Sequence, residues 1–264
     1  MTGAIHFENA PLEEVVCGVQ FAGIKWSDIH FGLFFTKLEG RYEQTQRRPH
    51  ISLFDSPPKD LPQIQLVTEI ETPLLWYETT KSPFLLQIQE DAFFLNWRRQ
   101  SGTFVYPHFR TRHGGDEGVW DRFIHEWNVF RNFCEEQEIG TPEVRACHLA
   151  YIDHMVHGEA WNAPVDLVKL IRPVEGLKNL ESLSVVNMTI RYKSRDLPIH
   201  INIRPAVRKN DQKKLFIMEF IITEKLSTKN DLSSWFEKSH EVIVQEFLAQ
   251  TTGAAHEKWG LSHV

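Results

Sequence analysis

Two histidines and two arginines crowd together at His108, Arg110, Arg112 and His113, just ahead of Gly114-Gly115. Guanidinium groups and the backbone N–H groups of a glycine turn can together hold an anion, so Arg110, Arg112 and His113 form a candidate anion loop. A second gathering is Asp153, His154, His157 and Glu159, all residue types that bind metals. Its spacing matches no established metal site, and residues three apart on a strand face opposite sides, so no metal is expected there. A third gathering is spread over alternating segments. Asn187, Thr189 and Arg191, then His200, Asn202 and Arg204, then Ile217, Glu219 and Ile221 occupy every second position of three successive runs. Recognition of a ligand, a peptide or a nucleic-acid segment suits a sheet face of this mixed kind. The same pattern also describes the ordinary solvated face of a half-covered antiparallel sheet. Arg191, His200, Asn202 and Arg204 are the candidate binding residues on it. The run from Phe84 to Arg98 adds Gln87, Gln89, Asn96 and Arg98 to the same surface.

No recognised catalytic pattern accompanies these groups. The chain contains no GxxxxGK[ST], GxGxxG, GxSxG or HExxH sequence, so no residue is assigned a catalytic role and no cofactor is expected. Cys17, Cys134 and Cys147 are far apart and form no CxxC pair, which argues against a zinc ribbon or a redox motif. Each sits in an apolar pattern and reads as a buried thiol. His240 falls one residue off an apolar stripe, which suits helix packing better than catalysis.

The elements that must position these side chains follow from periodicity. Val15 to Phe21 alternates as a strand, and Asp28 precedes a helical spacing of Ile29, Leu33, Phe34 and Leu38. Arg47 to Pro62 is rich in Pro, Ser and Asp and reads as a loop, while Ile64–Glu71 and Leu74–Thr79 have strand character. Phe84–Gln89 and Ala92–Arg98 form a hairpin turning at Glu90-Asp91. Trp120, Phe123, Ile124, Trp127, Phe130, Phe133 and Cys134 make one stripe of a helix that ends before Gly140 and Pro142. In the second half Val144–Val156 is a strand and Pro164–Ile171 a short helix. Leu183–Tyr192, Ile199–Pro205 and Leu215–Thr223 are strands, and a helix runs from Asp231 to about Gln250. Each half, 1–141 and 142–264, therefore reads strand, helix, antiparallel strands, long helix. The expected class is α+β, mainly antiparallel sheet with the long helices packed on one face, as an internal duplication within one compact unit.

Pro11-Leu12-Glu13-Glu14-Val15-Val16-Cys17-Gly18-Val19-Gln20-Phe21 opens the chain, and SHEVIVQEFLAQTT from Ser239 to Thr252, followed by His256-Glu257-Lys258-Trp259-Gly260, closes it. With this pair of signatures the chain resembles a sporadically distributed bacterial family of about this length whose function has not been assigned. The resemblance implies a fold family and a bacterial setting, and its sporadic distribution is that of mobile defence or toxin–antitoxin cassettes. Trp259 is expected to dock back on the body of the fold.

Composition sets the remaining limits. The chain has 264 residues, 42% of them hydrophobic, which suffices for a sizeable core. Its formal net charge of −6 lacks the overall basic footprint of a nucleic-acid binder, though not a local basic patch. No apolar run reaches the roughly 18 residues of a membrane span, and Met1–Glu8 has no signal-peptide pattern, so a cytoplasmic protein is expected. Three functions fit. The first is a binding or partner module for another protein, with nucleic acid as a second partner class. The second is an enzyme with an unrecognised site acting on a nucleotide or nucleic acid. The third is a homo-oligomeric scaffold that uses spare aromatics at its interface.

Overall fold

The computed structural model describes residues 5–38, 40–51, 73–100, 107–111, 115, 117–174, 186–226 and 231–263. The order is β1 (Ile5–Phe7), β2 (Leu12–Ile24), α1 (Asp28–Lys37), β3 (Gln44–Arg48), β4 (Leu74–Glu78), β5 (Phe84–Gln89), β6 (Ala92–Arg98), α2 (Val119–Glu136) and β7 (Gly140–Val156). Two 3-10 turns, Pro164–Lys169 and Arg172–Val174, lead to β8 (Met188–Ser194), β9 (Leu197–Val207), β10 (Lys214–Lys225), α3 (Leu232–Gln250), α4 (Gly253–Lys258) and β11 (Leu261–His263). Nine strands form one sheet in the order β3-β4-β5-β6-β2-β7-β10-β9-β8, and β1 pairs with β11 in a second, two-stranded sheet. The class is α+β with a large antiparallel sheet. Among the described residues, no helix is long and apolar enough to cross a membrane.

The chain forms two units, neither a continuous segment. Unit 1 comprises Met1–Glu14, Ala150–Ile222 and Glu237–Val264; unit 2 comprises Val15–Leu149 and Thr223–Phe236. The sequence halves 1–141 and 142–264 do not coincide with them, because β2, β7, β10 and α3 each contribute residues to both.

In unit 2 the alternation of β2, β5 and β6 decides which side chains meet α2. Phe93 lies 5.9 Å from Phe123, 5.4 Å from Trp127 and 5.3 Å from Phe130, and Phe21 lies 5.3 Å from Phe130. Each fully buried side chain of this size contributes about 1.5–3 kcal/mol. The α2 stripe follows its 3.6-residue spacing, with Trp120, Phe123, Trp127, Phe130, Phe133 and Cys134 buried and Ile124, also placed on it, half-buried. Helix α1 departs from expectation. Ser27, not Asp28, precedes it as the N-cap, and its buried residues are Phe31 and Phe34, while Ile29 and Leu33 are 68% and 40% exposed. The segment is apolar nearly all round, so packing of Phe34 on Tyr77, Phe130 and Phe133 chooses the inner face. Arg47 and Arg48, read as loop, pair as part of β3 with Leu75 and Leu74. The Ile64–Glu71 segment and the first residues of Leu183–Tyr192 lie outside the described residues.

Two glycines are fixed by sterics. A Cβ on Gly18 would stand 2.3 Å from Phe94 Cδ1, so this strand residue must be bare for the ring to lie across it. Gly140 has φ +117°, a backbone that favours glycine, and a Cβ there would meet Gly23 O at 2.3 Å.

In unit 1, Phe247 of α3 packs on Phe220 at 5.9 Å, on Phe7 at 5.5 Å and on Trp259 at 5.5 Å. Trp259 is buried, as expected. Thr252 does more than end α3. Its Oγ1 accepts from Ala255 N at 3.1 Å and so caps α4.

Candidate functional site

The register of β8, β9 and β10 reproduces the alternating face read from the sequence. Arg191 lies opposite His200, Thr189 opposite Asn202, Glu219 opposite Asn202 and Ile217 opposite Arg204. The other parity, Ile199, Ile201, Ile203, Met218 and Phe220, is fully buried. Thr189, Arg191, Lys193 and Arg204 are exposed, and His200, Asn202 and Glu219 are half-buried. Thr189 Oγ1 donates to Asn202 Oδ1 (3.0 Å), and Asn202 Nδ2 donates to Glu219 Oε2 (3.3 Å). Arg204 Nη2 donates to Glu219 Oε1 (2.8 Å), with 45% of the Arg204 side chain still exposed. A charge at this exposure is screened by water and keeps much of its capacity to meet a partner. Arg191, His200, Asn202 and Arg204 are thus brought together on one surface of unit 1.

Arg98 belongs to unit 2, with different neighbours. Gln87, Gln89 and Asn96 are buried there, not solvated. Gln87 Nε2 donates to Asn96 Oδ1 (2.6 Å), while Gln89 Nε2 donates to Ile51 O (2.9 Å) and Asp91 Oδ1 (2.6 Å). Amide groups that satisfy one another can be buried, which alternation alone does not reveal. Arg98 Cζ stands 4.6 Å from the centre of the Trp76 ring, and Arg48 Cζ stands 4.1 Å from it. Trp76 and Arg48 were missed in the sequence because only the pairing of β3, β4, β5 and β6 brings them to Arg98.

In the expected anion loop, Arg112 and His113 lie outside the described residues. Arg110 is engaged within unit 2. Its Nη1 donates to Asp121 Oδ1 (3.2 Å), its Nη2 to Ser233 Oγ (2.8 Å), and its Cζ lies 5.4 Å from the Trp120 ring centre. Thr111 N donates to Asp121 Oδ2 at 2.6 Å, and these bonds and the Arg110 charge hold the Asp121 carboxyl below its usual range despite its partial burial. Arg110 therefore latches the loop to the start of α2.

The Asp153–Glu159 gathering disperses. His154 N donates to Pro11 O (2.8 Å), His157 Nε2 lies 3.0 Å from Asn162 O, and Glu159 accepts from Lys213 Nζ (2.7 Å). Among the described residues, no group of three or more His, Cys, Asp or Glu is placed to hold a metal. Asp153 is 3% exposed, and burial lifts its carboxyl to about 8. The hydroxyl of Tyr151 lies 2.7 Å from His240 Nδ1, and burial pushes that imidazole down to about 4. His148 Nδ1, 2.8 Å from Thr223 Oγ1, is pushed down to about 4 by the same cause. Burial raises the thiols of Cys17 and Cys147 far above the usual range and that of Cys134 to about 12, so all three are inert as nucleophiles.

No family model matches the chain, and neither a curated protein nor a solved structure matches it.

Proposed function

We propose that the chain is a binding module that takes an acidic segment of a protein partner along the exposed β8–β9 face of unit 1. The observation that carries this reading is local charge. Arg191, Lys193 and Arg204 are exposed on that face with His200 among them, and Glu219 supplies the facing carboxylate, although the whole chain carries a net charge of −6. Alternate residues of a strand are about 6.4–6.8 Å apart, the spacing at which an extended peptide presents its own alternate side chains. β8 ends the strand order of the sheet, which favours an extended partner. The bacterial defence or toxin–antitoxin setting implied by the resemblance belongs to the same reading, as does the cytoplasmic location expected from the sequence. So does the finer fold proposal of duplicated halves with both long helices on one face. Its support is that each half has a long strand before and a long helix after a set of antiparallel strands, although two short 3-10 turns stand in the second half where α1 stands in the first.

The alternatives have narrower support. An enzyme acting on a nucleotide has the Tyr151–His240 pair, and a homo-oligomeric scaffold has the exposed Ile29 and Leu33 of α1.

The test is capture of partners from the native host by the tagged chain, identification by mass spectrometry, and titration of the purified partner. Arg191→Glu and Lys193→Glu should each weaken binding about tenfold or more, and added salt should weaken the wild type. Unchanged affinity in both charge reversals, with the fold intact by circular dichroism, removes this face from recognition.

A further inference from the structure

Trp76 lies among basic groups from two other strands of unit 2. Arg48, opposite Leu74 at one end of the β3–β4 pair, reaches over the indole, and so does Arg98, whose backbone N donates to Pro83 O (2.8 Å) beside the start of β5. Neighbours hold both guanidinium groups in place. Arg48 Nη2 donates to Gln46 Oε1 (2.7 Å), and Arg98 Nη1 donates to Glu78 Oε1 (3.4 Å). The indole Nε1 and Arg48 Nε are buried atoms with no hydrogen-bond partner among the described residues. A buried donor left without an acceptor is costly, and two on stacked neighbours call for an oxygen-rich group. Arg98 Nη1 also pairs with Glu78 Oε1 (3.4 Å), and both guanidinium groups lie over the one indole ring. A guanidinium stacked on an indole can also offer its second plane to a flat ring.

The geometry points to a nucleotide-binding site at Arg48, Trp76 and Arg98. Arg48 Nε–H and the Trp76 indole N–H donate to phosphate oxygens, and the guanidinium of Arg98, 35% exposed, stacks on the base. A free nucleotide and a single-stranded nucleic acid share this chemistry. The site uses no residue of the β8–β9 face, so either reading can fail alone.

The experiment titrates the full chain with AMP, with inorganic phosphate and with a fluorescein-labelled oligothymidylate, at low and at raised salt. AMP or the oligonucleotide should bind, and salt should weaken binding. Trp76→Phe keeps an aromatic ring and removes the N–H, and should weaken binding about 5–10-fold. Arg48→Lys keeps the charge, loses the planar fork, and should weaken binding to a similar degree. Arg191→Glu should leave it unchanged. Much tighter binding of the oligonucleotide than of AMP assigns the site to a polymer, and comparable affinities assign it to a free nucleotide. The proposal is overturned if neither binds at low salt, or if inorganic phosphate binds as tightly as AMP. It is also overturned if Trp76→Phe and Arg48→Lys, each melting like the wild type, bind unchanged.

Discussion

Replacing Asp153 by asparagine tests whether unit 1 buries an uncharged carboxyl. Asp153 is 3% exposed, and burial raises it to about 8, whereas an aspartate in an unfolded chain titrates near 3.9. Below about pH 4 both states hold the proton and the site is neutral in both. Between about pH 4 and 8 the folded state keeps a proton that the unfolded state has released. Stability therefore falls as pH rises through this window, by about 1.4 kcal/mol per pH unit for this one group. Above pH 8 the loss is complete. The Asp153→Asn chain carries a neutral side chain of nearly the same shape at every pH and lacks this slope. Its stability relative to the wild type should grow by about 3 kcal/mol between pH 5 and pH 7.5. His148 and His240 act in the opposite sense. Their imidazoles are pushed down to about 4, so between there and their ordinary value near 6.5 the unfolded chain binds protons that the folded chain refuses. That contribution is common to both proteins and cancels in the difference. The assay is urea unfolding followed by tryptophan fluorescence at four pH values from 5 to 8.5. A difference that stays constant across this range would falsify the reasoning. That constant difference is what an Asp153 already ionised in the folded state would give, because both states are then deprotonated at every pH of the assay.

Two further perturbations probe unit 2. Gly18→Ala places a methyl 2.3 Å from Phe94 Cδ1 and should cost about 1–3 kcal/mol in thermal unfolding. Phe94→Leu in the same chain should recover part of that loss, and a wild-type melting temperature for Gly18→Ala alone would show that the ring yields freely. Glu126 is fully buried and lies within 3.2 Å of Arg41 Nη2 and 2.9 Å of Arg122 Nη2. Glu126→Ala should cost about 3–5 kcal/mol, because two arginines lose their buried counter-charge, and a denaturation midpoint within error of the wild type would contradict this.

The parts legible in the sequence are those that local periodicity decides. The β5–β6 hairpin has the bounds that its alternation gives, and α2 buries the stripe that its spacing gives. The polar and apolar parities of β8 and β9 are likewise those of the sequence, whereas in β10 Ile217, read on the polar face, is buried with Leu215 against Val156. What the sequence hid depends on distant pairing. Gln87 and Asn96 look solvated until their amides are seen bonded to each other. Ile29 and Leu33 have core character, yet the phenylalanines beside them win the inner face of α1. The three-residue strands β1 and β11 have too little pattern to announce themselves, and they pair across almost the whole chain. Arg48, Trp76 and Arg98 share a surface only once four strands are in register.

The discontinuous make-up of both units bears on how the protein is made. Unit 2 opens at Val15 and is completed by Thr223–Phe236, and unit 1 joins Met1–Glu14 to Glu237–Val264. At roughly 5–20 residues per second, a ribosome needs on the order of 10–40 s to travel from the first strand of unit 2 to its last segment. During that interval β2 first waits for β7 (Gly140–Val156), and β7 then waits for β10 (Lys214–Lys225), so one strand edge of the sheet lacks its partner until late in synthesis. Vectorial synthesis therefore cannot finish one unit before beginning the other. Nascent strand edges stay open for most of translation, and this is the condition under which a chain depends on holding chaperones and is most exposed to aggregation.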